Sequence, residues 1–242
     1  MIPAIRLAFT FLTRLPLSGL KEYDENDFKR CIKFFPVVGL VIGAIVCLTA
    51  EVLLAVGARE ATVTFIVLTL PVLITGGLHL DGLADTADGF WGGKDKERAL
   101  AIMKDSSTGP FGMTAVTLVM IGKFSALWVI LNSGVVWPIV SAFVLSRWAM
   151  AAVSFKAAYP RGSGTGKVFI GNLVPLDFLY SSVMAAAVCI LFAGWRAILL
   201  VALAASVVWC VRFISNRKIG GVTGDVLGAT NEVTELVILM FI

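Results

Sequence analysis

Charge is what this chain most lacks. Of its 242 residues only 15% are Asp, Glu, Lys or Arg, where soluble domains carry about 25%. Apolar residues make up 58%, and the mean hydropathy is +0.92. An ordinary soluble domain is excluded, and the chain reads as a membrane protein. Cysteine is scarce and scattered. Cys31, Cys47, Cys189 and Cys210 have no paired spacing, which excludes a disulfide framework or a metal knuckle and leaves them as packing residues. A cleavable leader is not evident, because Met1 to Gly19 carries Arg6 and Arg14 among its apolar residues and offers no small-residue cleavage site. That stretch reads as a short interfacial segment. Histidine occurs once, at His79.

What is present is a series of long apolar runs. A crossing helix needs about 20 mostly apolar residues, and runs of that kind lie at roughly 34–57, 62–80, 111–131, 137–158, 174–193, 197–214 and 224–242. The last is interrupted by Asp225, Glu232 and Glu235. The expected fold is an all-α, polytopic membrane bundle of about six or seven transmembrane helices. It forms one membrane-embedded domain over 1–242, with 1–33 as a cytoplasmic or interfacial approach. Lysine and arginine fall on alternate connections. Arg6, Arg14, Lys21, Lys29, Arg30 and Lys33 precede the first run, Lys94, Lys96, Arg98 and Lys104 follow the second, Lys156, Arg161 and Lys167 follow the fourth, and Arg212, Arg217 and Lys218 surround the last turn. The other set holds only Arg59 and Arg196. The positive-inside rule puts the richer set in the cytoplasm. The net charge of +4 then follows from topology and is not a nucleic-acid footprint.

The densest chemistry lies at 76–93, GGLHLDGLADTADGFWGG. On a helix, spacings of four and three turn Asp81, Asp85 and Asp88 onto one stripe. Three like charges there call for a cation, and hard oxygen donors suit Mg²⁺. Gly76-Gly77 is positioned to break the preceding helix. Six glycines in this stretch imply that something approaches the backbone closely. His79 reads either as a hydrogen-bonded interface residue or as a general acid/base near substrate.

Three further stretches carry polar groups. In Lys104-Asp105-Ser106-Ser107-Thr108-Gly109-Pro110 the proline marks a helix start, and Lys104, Ser106, Ser107 and the free amides read as phosphate contacts or as plain capping. Lys123 and Arg147 sit inside apolar runs, so each needs an acid, a cavity or an anionic ligand. The run from Arg161 to Val168 lacks the G-x-x-x-x-G-K-[ST] spacing and is no P-loop; it reads as a basic loop that closes over a substrate or as a linker. In the last cluster, Asp225 and Glu232 are seven apart on one helical face, with Gly228 and Ala229 leaving room for a ligand. That face can oppose Asp81–Asp88 across one cavity.

Phe11-Leu12-Thr13-Arg14-Leu15-Pro16, the 76–89 stretch, Lys104 to Gly112 and Gly224 to Glu232 together resemble the cobalamin synthase family, the adenosylcobinamide-GDP ribazoletransferases. The resemblance runs from near residue 5 to near residue 235. It implies a multi-pass enzyme of the cell inner membrane, facing the cytoplasm, that joins adenosylcobinamide-GDP to α-ribazole or its 5′-phosphate with loss of GMP. It implies Mg²⁺ as cofactor. On that reading Asp81, Asp85 and Asp88 hold the metal against the diphosphate with Asp225 and Glu232 opposite. One of these carboxylates or His79 takes the hydroxyl proton, and Lys104, the Ser106–Gly109 amides and Arg147 contact phosphate. The number of copies, a homo-oligomer included, is left open. The acids also resemble those of the CDP-alcohol phosphotransferases, but the Ala-Arg pair of D-x-x-D-G-x-x-A-R is missing. A transporter using intramembrane acids as a relay is the competing class; against it, the acids cluster at helix ends and no internal repeat is evident.

Overall fold

The computed structural model describes residues 2–15 and 25–242. Met1, Pro16, Lys21 and the opening of the polar approach at 20–24 lie outside them. Among the described residues every regular element is helical. The helices are α1 (Ile2–Leu12), α2 (Glu25–Cys31), α3 (Phe35–Ala55), α4 (Glu60–Thr75), α5 (Leu78–Gly92), α6 (Lys96–Ile102), α7 (Pro110–Asn132), α8 (Ile139–Ser154), α9 (Pro175–Ala193), α10 (Ala197–Ile219) and α11 (Gly224–Phe241). Each long apolar run of the sequence became a helix.

Not every one of those helices has the length to cross a bilayer. Three stretches do: Asp27–Ala55, Pro110–Asn132 and the 45-residue Pro175–Ile219, which contains both α9 and α10. The pair α4 and α5 qualifies only together and is bent by 86°, which makes up to four. The cause of the bend is local. Gly76 and Gly77 both take the left-handed region, at φ 64° and 74°, where a side chain would be strained. Beyond it α5 runs across the direction of α4 and lies outside the three crossing stretches.

Two helices are buried almost all round, α8 and α11. α3 packs on α8 because Gly39 and Gly43 present bare backbone to it. A Cβ on Gly43 would come within 3.0 Å of the Val140 Cα, and one on Gly39 would strike the Phe143 carbonyl. Small residues four apart allow helices this close approach. α1 buries Ala4, Leu7, Ala8 and Leu12 in the same core. Cys31, Cys47 and Cys189 are buried as packing residues, whereas Cys210 is exposed on α10.

Candidate active site

The acidic stretch forms α5, and its three aspartates share one stripe as their spacing requires. Asp81 is exposed, Asp85 half-buried and Asp88 buried. The opposing element is α11. A Cβ on Gly82 would lie 2.8 Å from the Asp225 carbonyl oxygen and 3.2 Å from the Gly228 Cα, and one on Gly228 would lie 3.1 Å from the His79 carbonyl oxygen. The two backbones therefore touch. The room expected beside Gly228 for a ligand is filled by α5, and the small residues serve helix approach instead. Asp225, in the first turn of α11, is thereby brought to the stripe. Burial, followed by the charges of Asp81 and Asp225, holds the Asp85 carboxyl up at about 7.

Asp88 is held differently. Its Oδ2 accepts a hydrogen bond from the Gly109 amide at 2.6 Å and its Oδ1 one from the Gly112 amide at 2.9 Å. Pro110 does open α7, as its position suggests, and this carboxylate takes the amides of a helix start that read either as a phosphate site or as plain capping. Both glycines are required: a Cβ on Gly109 would meet the carboxylate at 2.5 Å, and one on Gly112 would strike it and the Ala84 carbonyl. Lys104, Ser106 and Ser107 stand on the exposed turn before α7. There the Ser107 amide and hydroxyl donate to Asp105 at 3.0 and 2.7 Å. A surface cleft joins Ser107 and Gly109 to Asp88, at the end of the acidic stripe.

The basic loop after α8 reaches the same place. Arg161 donates to Asp225 Oδ2 at 2.7 Å, and the Thr223 hydroxyl donates to the same oxygen at 3.3 Å. The sequence marks this loop as basic but does not name its partner.

A second polar set lies deeper and apart from the stripe. Lys123 of α7 donates to Glu232 Oε2 and Glu235 Oε1, both at 2.7 Å, and Arg147 of α8 donates to Glu235 Oε2 at 2.6 Å. The two intramembrane cations thus meet acids, and two positive charges balance two negative ones. Glu232 and Arg147 lie in this set and not beside Asp81. Glu235 is the member that sequence reasoning left without a role; its spacing of three from Glu232 is the signal that points to it. His79, 2% exposed, has no hydrogen-bond partner at Nε2 among the described residues. It faces a cavity of about 20 Å³ lined also by Lys123, Arg147, Glu232 and Glu235, room for about one water.

Among the described residues no three His, Cys, Asp or Glu side chains converge closely enough to cage an ion. The donors fit Mg²⁺ in another way. That ion is commonly held by one or two carboxylates plus substrate phosphate oxygens, and the half-buried Asp85, crowded by Asp81 and Asp225 and only partly relieved by Arg161, is a donor of that kind.

The family model for cobalamin-5-phosphate synthase matches residues 4–242. Curated relatives named adenosylcobinamide-GDP ribazoletransferase include one from Syntrophobacter fumaroxidans, 36% identical over 96% of this chain and 94% of its own length. Another, from Chlorobaculum parvum, is 38% identical over 98% and 94%, and one from Clostridium tetani is 34% identical over 95% and 92%. These names are of a transferase and give the transporter reading no support. No solved structure matches the chain.

Proposed function

The chain belongs to the cobalamin-5-phosphate synthase family, and from that premise we propose that it is an adenosylcobinamide-GDP ribazoletransferase whose chemistry occurs where α5 meets α11. Adenosylcobinamide-GDP and α-ribazole or its 5′-phosphate are its substrates. The ribazole hydroxyl oxygen bonds to the cobinamide-bearing phosphorus, the bond from that phosphorus to the bridging oxygen breaks, and GMP departs with that oxygen. The observation that carries this reading is the meeting of Asp81, Asp85 and Asp225, where burial first, and then the charges of the other two, hold the Asp85 carboxyl up at about 7.

Asp81 and Asp85 would hold Mg²⁺ jointly with the diphosphate, Asp225 adding a third carboxylate once Arg161 is drawn off. When bound, the ion would neutralise charge building on the phosphate oxygens. Asp88 fixes α5 to the start of α7 and so sets the stripe's direction. The proton of the attacking hydroxyl passes to one of the seam carboxylates, since His79 faces the deeper cavity. Arg161, Lys104 and Ser107 are the nearby groups able to meet phosphate oxygens. The apolar helices support membrane residence, and the charge asymmetry supports an inner-membrane protein with this seam in the cytoplasm.

The test is GMP release by the purified chain supplied with adenosylcobinamide-GDP, α-ribazole 5′-phosphate and a Mg²⁺ titration. Asp81→Asn and Asp85→Asn are expected to insert normally and to lose at least about 100-fold in turnover, the order of effect of one key electrostatic group. Turnover unchanged in both would sink the metal assignment.

A further inference from the structure

A groove of about 520 Å³ lies under α5. Its roof is formed by Leu83, Thr86, Ala87 and Phe90, which at 100° per residue face away from the acidic stripe. The floor belongs to α11, and the walls to α7 and α10, two of the helices in stretches long enough to cross a bilayer. Nearly all of the lining is apolar.

Its shape and charge say what covers it. On α10 the lining runs from Leu203 through Val207 and Cys210 to Ile214 at helical spacing, about 17 Å at ~1.5 Å per residue. One leaflet of the hydrocarbon core is about 15 Å deep. Arg217 and Lys218 continue that stripe by three and four residues. Both are exposed, as is Lys96, whose Nζ would lie 3.2 Å from a Cβ built on Gly220 just beyond α10. The ion pairs among the described residues involve none of these three cations. Arg217 lies over the Phe213 ring, its Cζ 4.6 Å from the centroid, whereas the Arg212 guanidinium donates to the Phe155 and Lys156 carbonyls. None of the groove's exposed surface is polar.

We propose that this groove binds one anionic phospholipid, an acyl chain lying along α10 and the phosphate meeting Arg217 and Lys218. A cation-capped apolar slot one leaflet deep matches that ligand in length, polarity and sign. Substrate is a poorer match. The Gly82–Gly228 contact on one flank of α5, and the approach of Gly112 to Ala84 on the other, close the groove off from the acidic stripe. The proposal rests on the membrane reading and is independent of the reaction.

Native mass spectrometry of the full-length chain, taken from nanodiscs of mixed phosphatidylglycerol and phosphatidylcholine, tests it. The wild type is expected to retain one phosphatidylglycerol at least tenfold in preference to phosphatidylcholine. Arg217→Gln with Lys218→Gln, both exposed and so tolerated by the fold, should abolish the preference. Cys210→Trp, which fills the groove from an exposed position, should abolish retention itself. Equal retention of both lipids by the wild type, or a preference unchanged in the double variant, means an unselective annulus and overturns the site. Oxidative cross-linking of Cys210 between chains, with no lipid retained, means that a second copy covers the groove and overturns it equally.

Discussion

At Asp85 a proton and the proposed Mg²⁺ would compete for the same oxygens. Its carboxyl is held up at about 7, above the ordinary carboxylate range, so its contribution to stability is fully present in acid and is lost as pH rises through about 7, when a further negative charge is forced in beside Asp81 and Asp225. Mg²⁺ should reverse that loss. Apparent Mg²⁺ affinity is expected to weaken about tenfold per pH unit below 7 and to level off above it, because binding must expel a proton. Calorimetry in two buffers of different ionisation enthalpy would register the proton, and a pH-independent affinity would contradict the assignment. Gly82 offers a steric counterpart. Gly82→Ala adds a methyl 2.8 Å from the Asp225 carbonyl, so it should cost about 1–3 kcal/mol as overpacking does and lower turnover by separating the carboxylates. The stripe of Asp81, Asp85 and Asp88 could be read directly from spacing. What could not be read was that Asp88 spends both oxygens on amides 21 and 24 residues ahead, since sequence gives no distance between α5 and the start of α7.

The helices tell a similar story of pattern against partner. Apolar runs gave all the long helices, and Gly76-Gly77 marked the break that aims α5 across the bundle. Length was harder to judge, because α8 is apolar and buried yet has only 16 residues. Lys123 and Arg147 demanded partners from their position in apolar runs, but composition alone could not choose between acids and a ligand. The choice came from α11, where Glu235 accepts from both cations. Glu235→Gln should therefore destabilise the bundle by about 3–5 kcal/mol, since Lys123 keeps Glu232 but the buried Arg147 loses its carboxylate. Glu232→Gln should cost clearly less, because Lys123 keeps Glu235. Thermal unfolding in detergent would rank the two, and the reverse order would mean that Glu232 is the keystone of the set.

For the molecule as a whole, the charge asymmetry sets an orientation that can be measured. A single reporter cysteine placed at Ser107, in the exposed turn before α7, should react with an impermeant maleimide in inverted membrane vesicles and not in intact spheroplasts. A reporter at Arg59 should show the opposite pattern. The Arg161–Asp225 pair has a consequence at the same level. This guanidinium is the counter-ion of a carboxylate that the proposed cation would use, so the loop and the cation would be rivals under mass action. Linkage makes that rivalry reciprocal. Saturating divalent cation should make Gly162–Gly166 more susceptible to protease, and severing or loosening that loop should tighten cation binding by the same factor, so that occupancy of the seam can be read from the outside of the protein by how fast one loop is cut.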